Sequence, residues 1–199
     1  MFWDQVTEAL PNPVEVFVEF KGWEFTTYNK ELWENVTVKV DKFILLDQVS
    51  CVKGRDVQSN SGIYSNEVHS LMNEDLVIRS FKWDGIIYQG KYSDGKAEIK
   101  EAGGVFHKGL LVLLDGLLCE IYLKGGALKE FNDFMQELGK ERNTHWITIP
   151  KMEERKNGAI KYSVPTFKKG KEIEEADKEK AIKMVEQLRA FYESKKQDD

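Results

Sequence analysis

Leu110-Leu111-Val112-Leu113-Leu114, then Asp115-Gly116, then Leu117-Leu118-Cys119-Glu120-Ile121-Tyr122-Leu123 is the stretch that decides the fold class. Two apolar, β-prone runs flank an Asp-Gly pair, and those two residues accept the positive φ angles of a tight hairpin turn. Gly125-Gly126 closes the second run. Beyond it, Leu128, Phe131, Phe134 and Leu138 share one face at helical spacing, and Gly139 supplies a stop. Towards the N-terminus the turn signal recurs at Asp94-Gly95 and Asp84-Gly85, between the short runs Leu76 to Trp83, Ile86 to Tyr88 and Ala97 to Lys100. Asp-Gly turns between short β-prone runs predict an antiparallel sheet rather than a parallel one.

Farther out, Val14-Glu15-Val16-Phe17-Val18-Glu19-Phe20 alternates with period two, as a half-buried strand does. Val36 to Val40 alternates likewise and runs into Phe43-Ile44-Leu45-Leu46. The polar stretch Lys53 to Asn66 reads as a loop. Past the internal helix, His145 to Ile149 and Ala159 to Val164 read as strands. Glu174 to Glu193 reads as a helix with Ala181, Met184, Val185, Leu188 and Phe191 on the stripe that packs on the body. No repeat of fixed period is visible. This order predicts a mainly β fold: an OB-like antiparallel barrel with one internal helix and a C-terminal helix. The barrel domain is expected over residues 1–170, with the C-terminal helix and a short charged tail over 171–199.

The chain has 199 residues, 41% of them hydrophobic, enough for one sizeable core. It starts Met1-Phe2-Trp3-Asp4 without the basic start and apolar run of a signal peptide. Its longest apolar stretch is interrupted at Asp115, whereas a membrane span needs about twenty apolar residues. The expectation is a cytoplasmic protein with no membrane contact. Cys51 and Cys119 read as two small buried thiols.

The net charge of −5 argues against coating duplex DNA by charge alone. The charge is uneven, however. The N-terminal quarter is acidic, while Lys151, Arg155, Lys156, Lys161, Lys168, Lys169 and Lys171 make one segment basic. That leaves room for a local basic groove.

No Walker loop, nucleophile elbow or His-Glu-x-x-His is present, and His69, His107 and His145 are widely separated. Neither catalysis nor a metal or cofactor is expected. One enzyme-like pattern competes: Glu98-Ile99-Lys100, with Asp84 upstream, fits a metal-dependent restriction-type nuclease, in which carboxylates hold a divalent ion and a lysine activates water.

Against it stands an aromatic and cationic series, Arg79, Phe81, Lys82, Trp83, Tyr88, Lys91, Tyr92, Phe106 and Lys108. Proteins that hold single strands stack bases on aromatic faces beside cations that follow the phosphates. On a strand, Arg79, Phe81 and Trp83 point to one side. The alternative is that Phe81 and Trp83 face the core. Lys151, Arg155, Lys156 and Lys161 surround a hairpin with Asn157-Gly158 at its tip, and read either as a clamp or as a solvated hairpin.

Leu114 to Phe131 resembles the strand–helix junction of phage-type single-stranded DNA-binding proteins, and Lys156 to Phe167 resembles their closing hairpin. The resemblance covers roughly residues 76–167. It implies an OB-like barrel, no chemistry, and an accessory role in phage or mobile-element DNA replication or recombination. The implied partners are single-stranded nucleic acid and replication proteins, with self-association left open. A phage structural or protein-interaction module is the reading from another class.

Overall fold

The structure is a computed structural model that describes residues 10–82 and 85–195. Its strands are β1 (Val16–Lys21), β2 (Glu24–Asn29), β3 (Glu34–Val38), β4 (Lys42–Arg55), β5 (Gly62–Ser65), β6 (Leu76–Ser80), β7 (Ile86–Gly90), β8 (Gly104–Leu114), β9 (Leu117–Leu123), β10 (His145–Asn157) and β11 (Ile160–Glu172). The helices are α1 (Tyr92–Glu101), α2 (Gly125–Leu138) and α3 (Glu175–Lys195). No described helix is long and apolar enough to cross a membrane.

The strands form one mixed sheet in the order β3-β2-β1-β9-β8-β4-β5-β6-β7, with the β10–β11 hairpin branching from β4. β4 is too long for one neighbour on each edge. One edge pairs with β8. The other is shared between β10 at Lys42 and Phe43, a bridge from Ser50 to Val68, and β5 at Lys53 to Arg55. A register shift between Leu45 and Asp47 marks a bulge, the usual device for bending a strand.

Side-chain alternation divides the core. From β8 and β9, Leu110, Val112, Leu114, Cys119, Ile121 and Leu123 pack on α2 through Ala127, Leu128, Phe131 and Leu138. The intervening Leu111 and Leu118 face the opposite side and pack with Val49 against Leu188 of α3. Leu113 packs there with Ile44, Trp146 and Ile173. Burial on both faces explains why 110–114 is an unbroken apolar run. A third cluster, Val52, Ile63, Val68, Leu76 and Ile78, is closed by Ile99 of α1.

Several sequence expectations hold. Asp115 (φ 50) and Gly116 (φ 87) form the hairpin turn, and both long helices lie where the periodicity places them. Others need correction. The path of the sheet is open among the described residues, not a closed barrel. β1 pairs with β9 in parallel, because the hairpin that β1 starts brings Val16 to Glu19 alongside Cys119 to Tyr122. Ala97 to Lys100 is not a strand but part of α1, so among the described residues two α-helices precede α3 rather than one. Asp94-Gly95 is therefore no hairpin turn. Gly95 is buried where any Cβ would run into the ring of Tyr88, so the glycine serves close approach instead. The expected loop at 53–66 contains the end of β4 and all of β5. Strand β11 continues past residue 170 to Glu172, and α3 packs on the same body. Trp83 and Asp84 lie outside the described residues.

Candidate nucleic-acid interface

Strand β6 buries Leu76, Ile78 and Ser80, so Arg79 between them points to the other face. Phe81 follows the same side and is 71% exposed, which removes it from the core. Its ring lies 4.5 Å from that of Tyr64 at 32°, and Tyr64 stands directly opposite Arg79 in the register. Lys82 is exposed beside them.

The other described members of the series are turned elsewhere. Tyr88 covers Gly95, and its hydroxyl donates to the Lys91 carbonyl at 2.7 Å. Lys91 is ion-paired with Asp75 at 2.6 Å. Tyr92 and Phe106 pack on each other with centroids 5.0 Å apart, both half-buried. Lys108 donates to Ser50 Oγ at 3.3 Å, and burial draws its pKa down. The described members of the series thus divide into a group on one edge, the exposed Phe81 and Lys82 with the half-buried Arg79, joined there by Tyr64 from outside the series, and a packed group. Alternation on β6 located Arg79 and Phe81; nothing local signalled Tyr64, which arrives through the β5–β6 pairing.

On the β10–β11 hairpin the expected cations sit beside carboxylates. Lys151 pairs with Glu153 at 3.0 Å, and Lys161 with Glu154 at 3.1 Å. Arg155 reaches both Glu153 and Glu130 of α2 at 3.0 Å. Exposed pairs of this kind contribute about 0–1 kcal/mol each, so a phosphate can exchange for the carboxylate. Lys156 stands opposite Lys161 and makes no ion pair among the described residues.

A further positive site was not visible in the sequence. Lys21, Lys53, Arg55 and Lys124 converge with Glu19 and His107 on a cleft of about 590 Å³. It lies on the face of β1, β9, β8 and β4 opposite α2, since Val18, Ile121 and Leu110 point towards α2 and their neighbours point away. Two of its lining residues meet where the β4–β8 pairing ends, and a Cβ on Gly54 would strike the Gly103 carbonyl. Lys53 Nζ sits 3.0 Å from the centroid of the Tyr122 ring and 3.9 Å from Glu19, which also binds Lys21 at 2.7 Å. Phe17, 43% exposed, stacks on the other side of the site against Tyr122 at 6.4 Å and 12°.

His107 adds no charge at neutral pH. Burial lowers its pKa to about 4, and its Nδ1 lies 2.9 Å from the Val105 carbonyl. Four cations therefore face one carboxylate. They come from positions 21, 53, 55 and 124, so no sequence window contains the cluster.

Behind this cleft, Glu120 is 1% exposed. Tyr122 and Tyr192 of α3 both donate to the neighbouring Glu67 at 3.1 Å, while Glu120 Oε1 has no hydrogen-bond partner among the described residues. Burial first, and then the charge of Glu67, push the Glu120 carboxyl up to about 8. Of the nuclease pattern, Asp84 lies outside the described residues. Glu98 and Lys100 are exposed on α1, and no group of three or more His, Cys, Asp or Glu that could hold a metal occurs among the described residues.

No family model, curated protein or solved structure matches the chain.

Proposed function

We propose that this protein binds single-stranded nucleic acid without sequence specificity and without chemistry, on the outer face of β1, β9 and β8. The observation that carries the reading is the cationic cleft in its topological setting. Taken alone, β9-β8-β4-β10-β11, with α2 between β9 and β10, follows the strand order of an OB barrel and the place of its helix. In OB folds the face of the second and third strands binds oligonucleotides, together with the loops between strands one and two and between four and five. Here those strands are β8 and β9, and the cleft opens on them. The OB-like reading treats β1 to β3, and the elements between β4 and β8, as additions to that five-stranded frame. Lys21, Lys53, Arg55 and Lys124 follow the phosphates, and Phe17 offers a ring face to a base. An accessory role in phage or mobile-element replication accords with the resemblance of residues 76–167 to phage-type single-stranded DNA-binding proteins.

Titrating fluorescent single-stranded and duplex oligonucleotides, with and without magnesium or manganese, tests the reading. The expected outcome is preference for the single strand, affinity that falls with salt, and no cleavage. Lys21→Gln and Lys124→Gln should each flatten the slope of log affinity against log salt by about 0.7, one phosphate contact on a single strand. Absence of binding at low salt overturns the reading. Metal-dependent cleavage that vanishes in Glu98→Ala or Lys100→Ala would establish the nuclease instead.

A further inference from the structure

The cleft and the β10–β11 hairpin are distinct basic surfaces, and the turn between β1 and β2 joins them. That turn is Gly22-Trp23, with Gly22 at φ +67 and Lys21 paired with Glu24 across it. On one side it continues directly into Lys21, which lines the cleft. On the other, the Gly22 carbonyl accepts a hydrogen bond at 3.0 Å from the Ser163 amide of β11. Lys161 is two residues along β11 from Ser163, about 7 Å at the rise of a strand. Lys156 stands directly opposite Lys161.

Lys124, from the far wall of the cleft, begins α2, whose Gly126 packs so closely on Tyr162 and Val164 that a Cβ there would meet both at about van der Waals contact or less. Between these two sets of cations Trp23 is 53% exposed. A tryptophan left half in water at a two-residue turn gains nothing for the core. With Lys21 two residues before it and Lys161 two residues along β11 from the Ser163 that binds its neighbour Gly22, it has the setting of a stacking site for an unpaired base.

We infer that Trp23 is a base-stacking residue that makes the cleft and the β10–β11 hairpin one continuous track for a single strand. This rests on the single-strand reading above. The strand enters along Arg55, Lys53 and Lys21, places a base on Trp23, and leaves over Lys161 and Lys156. Lys161 exchanges Glu154 for phosphate as it does so. A duplex cannot follow this route, because its bases are already stacked on each other and offer no free face to the indole.

The test uses oligothymidylates of about 4 and about 16 nucleotides, the ends of the range that one OB fold covers. Wild-type protein is compared with Trp23→Ala, Trp23→Phe and the double variant Lys156→Gln/Lys161→Gln, with a thermal melt beside each titration. Trp23→Ala is expected to weaken binding of the longer strand by roughly 5- to 150-fold, the worth of one base–aromatic stack, with an unchanged salt slope. Trp23→Phe should restore most of the affinity. The double lysine variant should flatten the salt slope for the longer strand and leave the shorter one alone. Wild-type affinity in a folded Trp23→Ala overturns the track while leaving the single-strand reading standing. So does an equal effect of the lysine variant on both lengths. Wild-type protein that binds neither strand overturns both.

Discussion

The two ends of one sheet face carry opposite chemistry. At the open end, Lys53 lies over the ring of Tyr122, and Lys21, Arg55 and Lys124 surround it. At the covered end, the hydroxyl of the same Tyr122 donates to Glu67, beside a Glu120 that is sealed beneath α3. Strand β9 supplies both ends by plain alternation of Leu118, Glu120 and Tyr122. What differs is the cover. Where solvent reaches the face, cations can exchange partners, even though burial draws the Lys53 pKa down. Where α3 lies over it, a carboxyl group is forced towards its neutral form. Helix α3 thus divides one strand into an electrostatic surface and a buried acid site.

The division can be attacked most forcefully through α3. Leu188→Ala removes the buried side chain that packs on Val49, Leu111 and Leu118. It should cost about 2–5 kcal/mol of stability, as leucine truncation in cores does, measured by urea unfolding. If the two ends are independent, affinity per folded molecule for a single strand stays at the wild-type value. A parallel loss of affinity would show that α3 also shapes the cleft.

A smaller effect should come from Glu120 itself. Its folded pKa, about 8, lies above the ordinary value of 4.5. The native state therefore binds more protons than the unfolded state between those values. Stability is fully present below about pH 4.5 and is lost as the pH rises towards 8, by at most about 1.4 kcal/mol per pH unit. Glu120→Gln, which cannot ionise, should flatten that part of the profile and be the more stable protein at pH 9. Urea melts of both proteins from pH 5 to 9 measure this. Because His107, its pKa held at about 4 by burial, offsets part of this loss below about pH 6.5, the difference between the two proteins is the readout, and a Glu120→Gln profile parallel to wild type from pH 5 to 9 would contradict the buried-acid assignment.

The smallest effect sharpens the contrast between the cleft and the β5–β6 face. Phe81→Ala deletes an exposed ring that packs at a tilt on the half-buried Tyr64, and such a pair contributes about 0.5–1.5 kcal/mol beyond its buried area. Melting should shift by a few degrees at most, and the salt slope of oligonucleotide binding should not change. A loss of affinity as large as that expected of Trp23→Ala would move the stacking surface to Tyr64, Arg79 and Phe81.

Much of the local structure was legible because it is set by near neighbours in the chain. Asp115-Gly116 makes its turn, Leu128, Phe131 and Leu138 make a helix face, and Leu188 and Phe191 lie on the buried stripe of α3. The error at Asp94-Gly95 has the same origin. A glycine needed for positive φ and a glycine needed for close approach look alike in sequence, and only the Tyr88 ring packed on Gly95 distinguishes them. The candidate site was legible only in parts. Alternation on β6 put Arg79 and Phe81 on one side, but the ion pairs of Lys151, Arg155 and Lys161 depend on partners fixed by register and by α2.

By itself the sequence determined a mainly β chain with an apolar hairpin at 110–123, a helix after it and an amphipathic helix near the end, since periods of 2.0 and 3.6 residues are local geometry. Tertiary structure alone decided that β9 offers its free edge to β1 in parallel, that β4 serves three partners on one edge, and that lysines about a hundred positions apart share a cleft. Which edges meet is chosen by the burial that distant segments achieve together once loop closure is overcome, and no periodicity within a single segment encodes it.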